Sequence, residues 1–380
     1  MKRNNNSISS LCVSLSISIE NFTILKDITP IHRIMTMKIG AKRLNFSLPL
    51  TLTSLLMCSS FAFAQSKELI IAQISPGQSL HGRSMERIAA ELNRQGVKAK
   101  TQHDIKEIKG IKQTGEIALI HAVKQNTFQM IPLTDGPCAN VAPSCALFSM
   151  PFLFKSQKHA EEVADHPTVI KVLNEEFNKQ GFELLAVYQH GWKQFFSTAK
   201  VLKDPKDFQG LKLRVMQSPA YLSLANSLGA SPVPSAMPSV HEQISKGVVG
   251  AHENPIWVHK LFNLHALMKN VTLSNHIYGV FYMLVNKDVW QALSPKDQKI
   301  VRSVVWDERV RERKESIALS EKVLQEYRAM PDMTVYDPKP EELAAFQKVG
   351  EDVLSQSKAR ISPEIIKIAQ DLGQESTVKK

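Results

Sequence analysis

Residues 68–74 read ELIIAQI, a short apolar run rich in β-branched side chains. Its length and composition mark a buried strand, which Pro76-Gly77 ends. Outward from it the period changes. Met85, Ile88, Ala89 and Leu92 recur at helical spacing within 83–94, and Gly96 closes the helix. Residues 97–102 read as a second strand, 117–125 as a helix and 127–133 as a strand. Strands alternating with helices predict an α/β domain with a largely parallel sheet. The rhythm continues with a helix over 160–180 stopped by Gly181, a strand over 182–188 and another over 211–215. Ser218-Pro219 then caps and opens a helix to Leu228, with Gly229 after it, and 278–285 is a strongly apolar strand. From Ser294-Pro295 a helical pattern runs to Arg328, either as one helix of about 50 Å at 1.5 Å per residue or as two in succession. The tail from 341 is helical again, restarting at Ser362-Pro363.

The 380 residues are 43% hydrophobic and 22% charged. That is an ordinary soluble composition, which excludes extensive disorder, collagen and coiled-coil fibres. A single long apolar stretch, 48–64, excludes a multispan membrane protein. It follows Lys38, Lys42 and Arg43 and ends in Ala62-Phe63-Ala64. Those features describe a secretory signal peptide cut before Gln65, and the stretch is too short and too rich in Ser and Thr for a membrane span. Met35 and Met37 are better-placed starts, which would leave residues 1–34 untranslated. Residues 1–64 hold seven of the 47 Lys and Arg and two of the 36 acids, so the remainder carries a net charge of +6. Its basic residues form no block interleaved with aromatics, which argues against a nucleic-acid partner.

Cys12 and Cys58 fall in the signal region. Cys138 and Cys145 remain, an even pair in an oxidising compartment, and predict a disulfide; two free buried thiols are the alternative. Searches for catalytic patterns fail at specific residues. His241-Glu242 and His252-Glu253 open like HExxH, but the fifth positions are Ser245 and Ile256. Residues 77–82, GQSLHG, resemble a nucleophile elbow with one residue too many. No GxGxxG or P-loop pattern is present, and the histidines show no paired metal spacing, so neither metal nor cofactor is expected.

Residues 210–215 read GLKLRV. Alternation puts Leu211, Leu213 and Val215 on one face and Lys212 and Arg214 on the other. Arg214 lies near the strand's carboxyl end, where open α/β sheets form their ligand crevice, and a helix start follows. A guanidinium there can hold a carboxylate through two parallel hydrogen bonds. Forty residues on, His252-Glu253-Asn254-Pro255 sets an amide with donor and acceptor before a stiffened turn.

Together with LANSLGASPVP (224–234), KGVVGAHENP (246–255), TLSNHIYG (272–279), VNKDVWQALSPKDQKIV (285–301) and MPFLF (150–154), these motifs resemble, in order and spacing, the DctP-type solute receptors of TRAP (tripartite ATP-independent periplasmic) transporters. The resemblance runs from about Lys67 to Tyr327. It implies a two-lobed, type II-like periplasmic binding protein fold with hinge strands and a long helix spanning both lobes. Lobe I would comprise 65–190 with 280–318, and lobe II 191–279 with 319–380. The implied activity is binding without catalysis: a periplasmic receptor captures a small organic acid and delivers it to small and large membrane subunits driven by an ion gradient. The family's carboxylate-binding Arg falls on Arg214, its ENP Asn on Asn254 and a second basic position on Lys193. His252 stands where Gln is usual, Gly250-Ala251 where Asp-Gly is, Ser239 where an acid is common, and Asn126 where Gly is.

Strand ends supply further candidates: Ser75, Gln78 and His81 after the first strand, then Thr134 and Asp135, then Gln217. Trp192 and Trp257 offer aromatic faces for a ligand body, and Asp135 suits a ligand beside Arg214 only if it pairs with Lys193 or accepts a ligand hydroxyl or ammonium. The long helix either stays intramolecular or packs against a second copy as a homodimer. The rival readings are a receptor for another transporter or sensor type and an exported α/β hydrolase.

Overall fold

Apolar runs bounded by turn residues become the strands of one sheet. A computed structural model describes residues 35–39, 42–46 and 68–378. Residues 1–64 and 65–380 form separate units. In the first, β1 (Met35–Ile39) pairs antiparallel with β2 (Lys42–Phe46). The expected signal stretch 48–64, Cys12 and Cys58 lie outside the described residues.

In the second unit the strands are β3 (Leu69–Ala72), β4 (Ala99–Gln102), β5 (Met130–Thr134), β6 (Phe182–Ser197), β7 (Lys212–Val215), β8 (Ser231–Pro234), β9 (Ala251–Pro255), β10 (Asn270–Asn286) and β11 (Thr334–Tyr336). They form one sheet in the order β4-β3-β5-β10-β6-β9-β7-β8, with β11 on β10. Pairs β3–β4, β3–β5, β7–β8 and β7–β9 are parallel, as the alternating pattern predicts. β6 and β10, of 16 and 17 residues, pair antiparallel and link the two parallel halves. Residues 281–285 of β10 pair with β5, whereas 193–197 of β6 pair with β9. Between these stretches Gly191 faces Gly279, with register shifts on both sides. Gly191 has φ 101°, a left-handed backbone that L side chains resist.

Two expectations change here. The strands expected at 182–188 and 278–285 are the apolar parts of longer strands, whose far halves carry polar residues such as Gln189, His190, Ser274 and Asn275. The helix expected over 160–180 is two, Gln157–Asp165 and Pro167–Lys179. Proline forbids its predecessor the helical region, and His166 is extended at φ −65°, ψ 126°.

The pattern from 295 becomes one unbroken helix, Pro295–Ala329. Ser294 Oγ caps it by accepting from Asp297 N, an arrangement that contributes about 1 kcal/mol. Its 35 residues span roughly 52 Å. Val301, Val304 and Val305 pack with Leu69, Ile88 and Phe281 in one core, and Val323 and Tyr327 with Phe196, Val249 and Val271 in another. The helix thus lies along both halves of the sheet. Its middle, with buried Glu312 and Ser316, lies against the crossover: Glu312 Oε2 accepts from Gln189 N at 3.2 Å.

Candidate functional site

Carboxyl ends of parallel strands converge on an open cavity, about 780 Å³ of empty space with the adjoining solvent included. Gln73, Ile74 and Ser75 reach it beyond β3, Thr134 at the end of β5, Arg214 from β7 and Gln217 just beyond it, and Asn254 from β9. This is the crevice that open α/β sheets offer ligands.

Arg214 pairs in register with Val233 of β8 and His252 of β9. Side chains alternate along a strand, so Arg214, His252 and Asn254 share one face of the sheet. Arg214 is 3% exposed. Its Nε and Nη2 donate to the Ser235 carbonyl at 3.1 and 2.6 Å, and among the described residues Nη1 has no acceptor. Among the described residues no carboxylate lies within ion-pair distance of it; Glu253 and Glu116 act on it through space, against a burial effect that pulls its pKa down. Arginine nevertheless stays charged in proteins, so the wall presents a cation whose partner is missing. Beside it the Asn254 amide donates weakly toward His252 Nδ1 at 3.3 Å, which leaves its carbonyl without a protein donor.

Glu116, in the first turn of the helix Gly115–Lys124, faces the same cavity. Thr134 N and Oγ1 donate to its two oxygens at 2.7 and 2.6 Å. Burial raises its pKa, and the Thr134 bonds oppose that rise. At the other end His81, His190, Trp257 and Phe281 form an aromatic wall. The His81 ring centroid lies 5.2 Å from His190, 5.1 Å from Trp257 and 4.2 Å from Phe281. Burial pulls the His81 pKa down to about 3 and holds His190 well below its ordinary value, so both rings are neutral near pH 7.

Of the residues singled out in the sequence, Arg214, Asn254, Gln217, Trp257, Ser75, His81 and Thr134 line the cavity. Three do not. Lys193 pairs in register with Pro255, and Phe195 with Glu253, so alternation turns Lys193 to the sheet face opposite Arg214. There its Nζ lies 3.3 Å from Glu253 Oε2 and 3.8 Å from Asp135 Oδ1, and it donates to Tyr221 OH at 2.5 Å. Asp135 is fully buried, accepting from Ser149 Oγ at 2.8 Å and from the Tyr221 hydroxyl. Trp192 packs edge-on against Tyr278, 4.9 Å between centroids, in the core. Gln78 borders a neighbouring groove instead. The expected disulfide is also absent: Cys138 and Cys145 are free, buried thiols with sulfurs 3.1 Å apart, beyond the ~2.05 Å of a bond.

Glu116, Gln73, His190 and Phe281 escaped the sequence reading. Gln73 was within reach of the strand-end argument that singled out Ser75. Glu116 carried only the weak signal of an acid in a helix's first turn, and the others lie in strands or loops whose ends were read differently. Among the described residues no cluster of three or more His, Cys, Asp or Glu could hold a metal.

Comparison with known proteins identifies the family and the fold. The family described as bacterial extracellular solute-binding protein, family 7 (DctP), matches residues 78–360. A solute-binding protein of Verminephrobacter eiseniae is 28% identical over 240 residues, 63% of this chain and 70% of that one. The 2,3-diketo-L-gulonate-binding periplasmic protein of Escherichia coli is 29% identical over 189 residues, 49% of this chain and 56% of its own length. The sugar acid binding protein of Advenella mimigardefordensis, solved with galactonate, superposes with TM-score 0.75 at 22% identity, covering 81% of this chain and 98% of that one. A TRAP periplasmic solute binding protein from Sulfurospirillum deleyianum, solved with succinate, gives 0.73 at 22% identity, covering 80% and 98%. Likeness at this identity is likeness of fold, the two-lobed architecture of periplasmic binding proteins. With nearly three hundred consecutive residues matched, the chain belongs to family 7 of the bacterial extracellular solute-binding proteins.

Proposed function

We propose that this protein is a periplasmic receptor that binds a small organic acid in the cavity at Arg214, without altering it, and delivers it to the small and large membrane subunits of a TRAP transporter. The observation that carries the reading is a buried guanidinium on the cavity wall with no ion-paired carboxylate among the described residues. A buried charge without a partner is costly, and a ligand carboxylate supplies the missing anion in the fork geometry that guanidinium favours. Asn254 adds a donor and an acceptor beside it. Relatives solved with galactonate and succinate support the same ligand class.

On this reading lobe I comprises 65–190 and 280–318, and lobe II 191–279 and 319–362, with Gly191 and Gly279 where the chain crosses; the last helix, Pro363–Val378, returns to lobe I, where His159 Nε2 lies 2.7 Å from the Ala369 carbonyl oxygen. Arg214 and Asn254 belong to lobe II, His81 and Thr134 to lobe I. A ligand touching both favours the closed arrangement by its differential affinity for the two states. Arg214→Ala should cost about 2–5 kcal/mol, roughly 30- to several-thousand-fold in affinity, and Arg214→Lys should also weaken binding because a point charge lacks the fork. Titration calorimetry with organic acids checks this; unchanged affinity in both variants removes Arg214 from the site.

A further inference from the structure

Among the residues that line the cavity, Arg214 is the single Lys or Arg. The nearby cation, Lys193, is fully buried and already faces two carboxylates, Asp135 and Glu253, within 4 Å. It has no charge to spare for a ligand and no opening to reach one. Across the cavity stands Glu116, whose carboxyl would repel a second anion or, if protonated, offer it no countercharge. The remaining titratable groups on the lining are His81 and His190, kept neutral by burial. A second ligand carboxylate therefore finds no cation anywhere on the wall, and a charge taken out of water needs one.

The body of the ligand meets a different surface. His81, His190, Trp257 and Phe281 form a wall of four rings with centroid separations of 4.2–5.4 Å. Leu261 and Phe262 extend it. Such rings bind flat or branched apolar groups through contact area. Two nitrogens in this wall, His81 Nε2 and His190 Nδ1, are buried without a protein partner. They suit a hydroxyl or keto oxygen on the ligand, not a charge.

We infer that the ligand bears one charge only: it is a monocarboxylate whose carboxylate lies on Arg214 and whose uncharged, largely apolar body lies against His81, His190, Trp257 and Phe281. This specificity rests on the reading of the cavity as an organic-acid site, and it separates the protein from receptors of dicarboxylates, polyhydroxy acids and zwitterions.

The test is calorimetry on the purified protein with matched acids: 4-methylvalerate against glutarate, 3-phenylpropionate against phenylalanine, and both monocarboxylates against galactonate. The expected result is that 3-phenylpropionate or 4-methylvalerate binds at least a hundredfold more tightly than its doubly charged or zwitterionic counterpart and than galactonate, and that Arg214→Ala abolishes the binding. Tighter or equal binding of glutarate, phenylalanine or galactonate, lost in Arg214→Ala, overturns the single-charge, apolar-body inference and leaves the organic-acid reading standing. Binding of any of these acids that Arg214→Ala leaves unchanged, or no binding of any of them, overturns both.

Discussion

Arg214 and Lys193 are two cations 21 positions apart in the chain with opposite fates, and a strand's parity separates them. Arg214 shares its sheet face with Asn254 and the cavity; Lys193 shares the other face with Glu253. The first was legible because GLKLRV shows its alternation and its carboxyl end plainly. The second was not, because the expected strand stopped at residue 188 and no register reached residue 193. The role of Lys193 is structural, since it lies between Asp135 and Glu253 and over the Tyr221 ring, 4.3 Å from its centroid. Removing one partner of a buried charge group leaves the others uncompensated, typically at about 3–5 kcal/mol. Lys193→Met should therefore lower stability in urea by about that amount. Lys193→Met combined with Glu253→Gln should recover part of the loss. If the single variant unfolds at the wild-type urea concentration, the cluster contributes nothing to stability.

At the scale of elements, what the sequence made visible was apolar periodicity, and what it hid was everything held by pairing. β3, β5 and β7 and the long helix are strongly patterned and lie close to where the pattern puts them. β9, where the apolar pattern marks no strand, is one because its residues AHENP pair with β6 on one side and β7 on the other, an effect of tertiary partners and not of propensity. Asn126 takes φ 57°, a left-handed backbone that Asn tolerates better than most other side chains do. The crossover makes a stronger demand. A Cβ on Gly191 would meet nothing closer than 3.8 Å, so space is available there, but φ 101° is strained for any L residue. Gly191→Ala should lose about 1–2 kcal/mol from backbone strain alone. Urea denaturation measures it, and Gly250→Ala is a poor control because its Cβ would meet Leu211 at 3.0 Å. A Gly191→Ala midpoint equal to wild type would mean that the crossover backbone relaxes freely.

At the scale of the whole molecule, the fold keeps histidines neutral in both halves. Burial pulls the pKa of His81 and His252 down to about 3 and holds His190, His259 and His276 well below the ordinary value. The unfolded chain takes up protons on these groups below about pH 6.5, whereas the folded chain does not. Stability from each is therefore fully present above about pH 6.5 and is lost as pH falls toward the folded pKa. Glu116, Glu253 and Glu312, which burial raises, act in the opposite sense: their contribution is present at low pH and is lost as pH rises through their folded pKa. Because the two sets oppose each other, the net slope is a weak test and the contribution of one histidine is a sharp one. His252 stacks 4.8 Å from Phe196 and lies outside the cavity lining. For a single group with these values, the linkage between pH 7.5 and 5.0 amounts to about 2 kcal/mol. His252→Gln removes the titration while keeping a polar side chain, so its stability relative to wild type should improve by about 2 kcal/mol over that interval. Urea unfolding of both proteins at pH 7.5, 6.5 and 5.0 reads the difference directly. A difference that stays constant with pH would mean that the folded protein protonates His252 as readily as the unfolded chain does, and the buried imidazole beside Arg214 would then be a second cation rather than a neutral ring.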